Sequence, residues 1–361
     1  MKILFVTDYY YPHIGGVEKL FKSLAESLVE KGNKVSVITW RYERELRKRE
    51  IINGVEIIRI NSISRALFSI SGLPEIISSA NKSELIHTST YSSALGAYIA
   101  SRLTKTKIII TVHEVWGKLW LSLPHTSILS GYMYKLLEKF ILKLKFNKYI
   151  SVSENTNKEL IKLGISKNKI KVIYNGIDYN LPKWKGITEP FTFTFFGRAG
   201  LSKGLDIMIK ASELIHKEYP YLKFKFIISP QIKSLYKKYI LEIKSGSIKD
   251  SSVIKTNLPF NELTEELITS SCIIVPSYSE GFGFTAVESS AMGIPLISSG
   301  KGSLKEVVFG KVITMKDLRP ESLKESMIKA VNNDFETVQN KQFTIQDFIN
   351  NHLELYDELK D

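Results

Sequence analysis

Two glutamates with seven residues between them, Glu280 and Glu288, lie in the stretch VPSYSEGFGFTAVESSAMGIPLIS, which runs from Val275 to Ser298. Ile273–Val275 reads as the end of a buried strand, stopped by Pro276, and a short polar loop leads to Glu280-Gly281-Phe282-Gly283. A helix is expected from about Phe284 to Met292, closed by Gly293 and Pro295, with Leu296 and Ile297 opening another strand. Glycines at a loop-to-helix junction let the backbone approach a ligand, and the free N–H groups of a helix start favour phosphate. Glu288, about one turn inside, can project a carboxylate toward a sugar hydroxyl pair bound near that start. Glu280 sits at the loop mouth.

A second cluster is basic. After a strand at Phe191–Phe196 comes Gly197-Arg198-Ala199-Gly200-Leu201-Ser202-Lys203-Gly204, at the start of an expected helix. Two cations and helix N–H groups converging on one spot suit a diphosphate. The Gly-Lys-Ser/Thr ending of a P-loop is missing. His113 ends a strand in Ile110-Thr111-Val112-His113-Glu114, and ligands of open parallel sheets collect at the carboxyl ends of strands. Gly15 and Gly16 open a helix after a long turn, Asp8 to Ile14. A dinucleotide-binding domain would instead carry three spaced glycines in a tight turn at once after the strand, so NAD is not expected.

The elements that must position these groups alternate. Buried strands are expected at Ile3–Val6, Val35–Ile38, Val55–Ile60, Leu85–His87, Ile108–Val112, Tyr149–Val152 and Lys171–Ile173. Amphipathic helices fall between several of them, at Gly16–Glu30, Tyr91–Leu103, Tyr132–Leu144 and Glu154–Leu163. Such alternation implies a doubly wound parallel sheet with helices on both faces. The irregular run Asn180–Pro190 marks a boundary. Further strands (Lys223–Ile228, Val253–Lys255, Ser271–Val275, Pro295–Ser298, Val312–Met315) build a second α/β domain, and a last helix spans about Ile345–Leu359. The domains are read as 1–180, 190–340, and a C-terminal segment 341–361.

At 361 residues, two domains are the default. No apolar run approaches the roughly 18 residues of a membrane span, the chain enters a strand directly from its start, and Cys272 is alone, so the cytoplasm is the expected compartment. The net charge of +13 admits nucleic acid, an anionic membrane or phosphorylated substrates, and no zinc-finger, RNA-binding or helix-turn-helix pattern favours the first. Tyr132–Lys148 holds five lysines among Leu136, Leu137, Phe140, Ile141 and Leu144. It is expected to be a core helix with a solvated lysine face, with peripheral contact at an anionic inner membrane face as the alternative. Arg41–Glu50, where acids and bases interleave, is expected to be a solvated loop.

The Glu280–Glu288 string resembles the glutamate-pair signature of the large retaining, nucleotide-sugar-dependent glycosyltransferase family, glycosyltransferase family 4 or group 1. The Gly15–Gly16 turn, Lys31–Thr39, Tyr174-Asn175-Gly176-Ile177-Asp178, and the Arg198…Lys203-Gly204 spacing are similar to that family as well, so the resemblance covers nearly the whole chain. Departures are Glu114 for a usual aspartate, Asn33 for a frequent histidine, Ser229-Pro230 for Gly-x-Gly, and a short segment from Gly300 to Val312. The resemblance implies the GT-B fold, two Rossmann-like domains with parallel sheets facing a cleft, and a C-terminal helix crossing back to the N-terminal domain. It implies a metal-independent retaining hexosyltransferase that takes a UDP- or GDP-sugar and serves a glycan or lipid-linked acceptor, with no cofactor and no nucleic-acid partner. Its catalytic set would be His113, Arg198, Lys203 and Glu280; donor-binding residues would be Gly15, Gly16, Gly281, Phe282, Gly283, Phe284 and Glu288; no residue would bind metal. Arg198, Lys203 and helix N–H groups would stabilise the leaving diphosphate, Glu288 the ribose, Glu280 the sugar hydroxyls, and His113 the sugar near its anomeric carbon. Alternatives are an epimerase-like enzyme on the same fold and a non-catalytic basic protein binding nucleic acid or membrane. Base, sugar, acceptor and oligomeric state are not legible in the sequence.

Overall fold

In the computed structural model, which describes residues 1–13 and 15–360, the chain divides into two units. The first comprises Met1–Trp120, Leu129–Gly176 and Phe343–Asp361, and the second Leu121–Ile128 and Ile177–Gln342. Residues 121–128, which fall inside the stretch read as the N-terminal domain, therefore group with the second unit; there His125 meets the Tyr239 ring edge-on at 6.0 Å. Among the described residues no helix is long and apolar enough to cross a membrane.

The first unit is built on one sheet. Its strands are β1 (Lys2–Thr7), β2 (Lys34–Trp40), β3 (Arg49–Ile52), β4 (Val55–Ile60), β5 (Leu85–Ser89), β6 (Lys107–Val112), β7 (Lys148–Ser151) and β8 (Ile170–Val172). They lie in the order β3-β4-β2-β1-β5-β6-β7-β8, all parallel except β3 against β4. The inner strands are apolar because helices cover both faces; Leu4, Val6, Ile38, Ile86, Ile108 and Ile110 share one core. Helix Ile345–Asp357, last in the chain, packs in this unit against helix Gly16–Glu30 and starts on Thr344, whose hydroxyl accepts from the Asp347 N–H. It carries Tyr356, whose hydroxyl lies 2.5 Å from Nδ1 of buried His87; the other ring nitrogen of His87 meets Thr111 at 2.7 Å.

Two expectations are corrected here. The region Arg41–Glu50 is not wholly a loop, since Arg49–Ile52 forms the edge strand β3. The Asn53-Gly54 pair, with φ of 49° and 79°, makes the tight turn into β4. The helix around Tyr132–Lys148, observed at Ile128–Leu142, keeps the expected solvated lysines and buried Ile141, but its remaining expected core side chains on the helix are not inside. Leu136, Leu137 and Phe140 are exposed while Glu138 is 3% exposed. The reason is local: the Glu138 carboxylate accepts hydrogen bonds from Trp116 N (2.9 Å), Gly117 N (2.6 Å) and the Tyr91 hydroxyl (2.7 Å), so burying it satisfies the loop after β6.

The second unit holds β9 (Thr192–Arg198), β10 (Lys223–Ser229), β11 (Ser252–Lys255), β12 (Cys272–Val275), β13 (Leu296–Ser298), β14 (Gly310–Thr314) and β15 (Glu336–Val338). Their order is β11-β10-β9-β12-β13-β14-β15, parallel apart from the antiparallel edge pair β14–β15. Its core is aromatic, with Phe193, Phe195, Phe224 and Phe226 buried beside Cys272. The irregular run before β9 is tied down by Trp184, whose backbone N–H donates to Met292 O and whose ring N–H donates to Ser270 O (2.8 Å).

Candidate active site

In the second unit the first strand, β9, lies between β10 and β12, so the chain leaves β9 in one direction and returns to its other side. The loops after β9 and β12 open at this reversal, the place where open α/β sheets collect ligands. Those loops carry Lys203 and Glu280, and Arg198 closes β9 just before the first of them.

Lys203 and Glu280, far apart in sequence, meet. The Lys203 ammonium donates to Glu280 Oε1 at 2.7 Å and to Oε2 at 2.9 Å. The Ser277 hydroxyl donates to the same Oε1 at 2.8 Å. Backbone contacts fix the geometry: Ser303 N–H donates to Glu280 O, and Tyr278 N–H donates to Ser202 O at 2.7 Å, lacing the two loops together. The Tyr278 hydroxyl donates to Asp206 at 2.8 Å, on helix Leu205–His216; burial, then that carboxylate, push the phenol upward. Gly204, at φ +68°, caps this helix where a Cβ would stand 2.1 Å from Pro276 O. Only glycine lets the Lys203 turn press so closely on the end of β12.

Gly283 caps helix Phe284–Met292 from the left-handed region, with Gly281 and Phe282 buried behind it and the Phe282 and Phe284 rings packed edge-on at 5.1 Å. Glu288 is half-buried and lies one turn beyond Phe284 on the same face of the helix. Arg198 is exposed at the end of β9. The structure thus brings Lys203 and Glu280 into contact and leaves the Arg198 guanidinium in solvent.

In the first unit the reversal lies between β1 and β5. Asp8 follows β1; burial pushes its carboxyl upward, with Arg65 at 3.7 Å opposing. Gly15 starts helix Gly16–Glu30 with an extended backbone, and a Cβ there would lie 2.0 Å from the Glu18 carboxylate. Glu18, 9% exposed, stands 3.2 Å from His13 Nδ1, and His13 stacks on Tyr9 at 4.0 Å. His113 follows β6, half-buried and edge-on to Phe21 at 6.2 Å; the two line a narrow crevice with Val17, Thr111, Asn175 and Phe348.

Sequence reasoning gave Ser277 and Glu18 no role. Ser277 sits three residues before Glu280 and Glu18 two after the glycine pair, and that spacing is the only signal either offers.

Two parallel-dominated Rossmann-like units, with charged loops at the strand-order reversal of the second, define a GT-B protein. Solved structures share the fold: sucrose-phosphate synthase from Thermosynechococcus elongatus (TM-score 0.77, 17% identity, 99% of this chain and 98% of that one) and Anabaena HepE in complex with UDP-glucose (TM-score 0.73, 16% identity, 99% and 100%). Residues 14–181 match Glycosyltransferase Family 4 and residues 180–344 match Glycosyl transferases group 1. An uncharacterized glycosyltransferase of Methanocaldococcus jannaschii is 30% identical over 92% of this chain and 89% of its own length. A component of the Arabidopsis thaliana phosphatidylinositol N-acetylglucosaminyltransferase is 21% identical over 92% and 74%. The chain belongs to the family 4, group 1 glycosyltransferases.

Proposed function

We propose that this glycosyltransferase moves a hexosyl group, with retention and without a metal, from a UDP- or GDP-sugar to a lipid-linked or glycan acceptor. The observation that carries the reading is the Lys203–Glu280–Ser277 cluster beside the start of helix Phe284–Met292. Two of the three ammonium protons of Lys203 are engaged by Glu280, which aims the third, and the exposed Arg198 supplies a second cation. The anomeric C–O bond to the diphosphate breaks, leaving an oxocarbenium-like sugar, and negative charge builds on the leaving oxygen. Lys203, Arg198 and the helix N–H groups stabilise that charge. The acceptor oxygen bonds to the anomeric carbon on the face the diphosphate leaves, and its proton passes to a phosphate oxygen. Glu280 doubles as the residue that sets the Lys203 ammonium and accepts from sugar hydroxyls; Glu288 accepts from the ribose; His113 contacts the transferred sugar.

The relatives favour a lipid-linked acceptor, since an enzyme named for phosphatidylinositol aligns along most of this chain. UDP as the nucleotide is favoured by the UDP-glucose complex of a fold neighbour. The test is a panel of UDP- and GDP-hexoses with the product anomer read by NMR and EDTA as a control. Transfer with the donor's anomeric configuration kept, indifferent to EDTA and lowered about 10²–10³-fold in Lys203→Ala, is expected. An inverted product, or no donor bound or consumed by the folded protein, would overturn the proposal.

A further inference from the structure

We propose that the outward face of helix Ile128–Leu142 seats this protein on an anionic lipid bilayer. Of the twenty-one large hydrophobic side chains exposed among the described residues, eight stand on this fifteen-residue helix. Leu129 (82% exposed), Met133 (57%), Leu136 (65%) and Phe140 (55%) fall at helical spacing and form one continuous stripe. Tyr132 and Leu137 border it, both exposed. The inward face is made by Gly131, Glu138, Ile141 and Leu142, so no rotation of the helix would hide the stripe without exposing the Glu138 carboxylate and its three hydrogen bonds. An unpaired apolar patch of this kind calls for a partner.

Charge selects the partner. From Ile128 to Ser153 the only acid is the buried Glu138, against lysines at 135, 139, 143, 145 and 148. Lys135 leans over the Tyr132 ring at 5.8 Å, while Lys139, Lys143 and Lys145 are exposed. A second copy of this chain, docked about a two-fold axis, would press these lysines against their equals. A bilayer takes Leu, Met and Phe into its acyl boundary while the flanking lysines reach anionic headgroups, and it demands no matching register.

The test uses the full chain with vesicles of phosphatidylcholine alone and of phosphatidylcholine with phosphatidylglycerol, at low and high salt. Cosedimentation with the anionic vesicles, falling with salt, is expected. Lys139→Gln/Lys143→Gln/Lys145→Gln should weaken it roughly 100-fold, and Leu136→Ser/Phe140→Ser at least about tenfold. Should the latter variant lose its melting transition, the lysine variant, altered only at exposed positions, carries the test alone. No binding to anionic vesicles, or binding unchanged in the folded variants, overturns the proposal. So does a wild-type dimer that Phe140→Ser converts to monomer without any vesicle binding. Vesicle binding requires no nucleotide sugar, so this proposal and the donor assignment fail separately.

Discussion

Removing the ammonium of Lys203 should cost more stability than neutralising its partner, although both changes break the same contact. The Glu280 side chain is 8% exposed and that of Lys203 is 23%. In Lys203→Ala the carboxylate, still largely buried, keeps the Ser277 hydroxyl at 2.8 Å as its side-chain partner, while Ser303 N–H holds its backbone in place. Stranding one member of a buried pair costs about 3–5 kcal/mol. In Glu280→Gln the amide oxygen still accepts one hydrogen bond, and the less buried ammonium can turn toward solvent, so about 1–2 kcal/mol is expected. The double variant Lys203→Ala/Glu280→Gln should be more stable than Lys203→Ala alone, because no charge is left buried. Calorimetric melts should place the second unit's transition roughly 6–12 °C lower in Lys203→Ala at about 3 kcal/mol. A Lys203→Ala protein melting within about 2 °C of wild type, or a double variant below Lys203→Ala, would refute the reasoning. With a bound nucleotide sugar at about 100 times its dissociation constant, the wild type should gain roughly 2.7 kcal/mol, and Lys203→Ala much less.

Burial holds His352 down at about 4 and pushes His87 well below its ordinary value. A histidine depressed in the folded state gives the first unit its full stability above the unfolded value near 6.5. That stability drains by about 1.4 kcal/mol per pH unit per histidine as acid protonates the unfolded chain. Asp8, raised by burial, works in the opposite direction, but it is one group against two. Urea melts between pH 7 and about 4.5 should show the fall, and His352→Gln should flatten it; an unchanged slope contradicts the assignment. Gly204→Ala combines a left-handed backbone with a clash against Pro276 O and should cost at least about 2 kcal/mol, read as a lower melting temperature. Glu138→Ala should free the Trp116 and Gly117 N–H groups and cost about 3 kcal/mol or more, with Trp116 and Trp120 fluorescence shifting red; unchanged emission would mean the carboxylate does not hold that loop.

Most of the strand and helix order was legible, because parallel strands covered on both faces read as short apolar runs and the helices between them as periodic ones. Helix Phe284–Met292 sits within the bounds that Gly283, Gly293 and Pro295 impose. Edge elements were harder. Arg49–Ile52 carries one polar and one apolar residue on each face, with Arg49 and Ile51 both exposed, so no alternation marks it and only the Asn53-Gly54 turn betrays it. In the helix at Ile128–Leu142 periodicity placed the lysines and Ile141 but not Leu136, Leu137 and Phe140, since hydrophobicity predicts which side chains prefer burial but not which face the neighbouring chain offers. There the loop after β6 presented N–H groups that only a carboxylate could satisfy, and Glu138 took the interior.

The candidate site divides in the same way. Residue types and short-range spacing alone determined that Lys203, Glu280 and Gly283 belong to loop-to-helix junctions, with Arg198 at a strand end and Glu288 a turn inside a helix, because glycine, proline and a cation before a helix constrain the backbone locally. That Lys203 closes on Glu280 with Ser277 as third partner, while Arg198 stays in solvent, was decided by the strand order β10-β9-β12. Hydrogen bonding between β9 and β12 sets residues 77 positions apart side by side, a proximity that no local property of either segment contains.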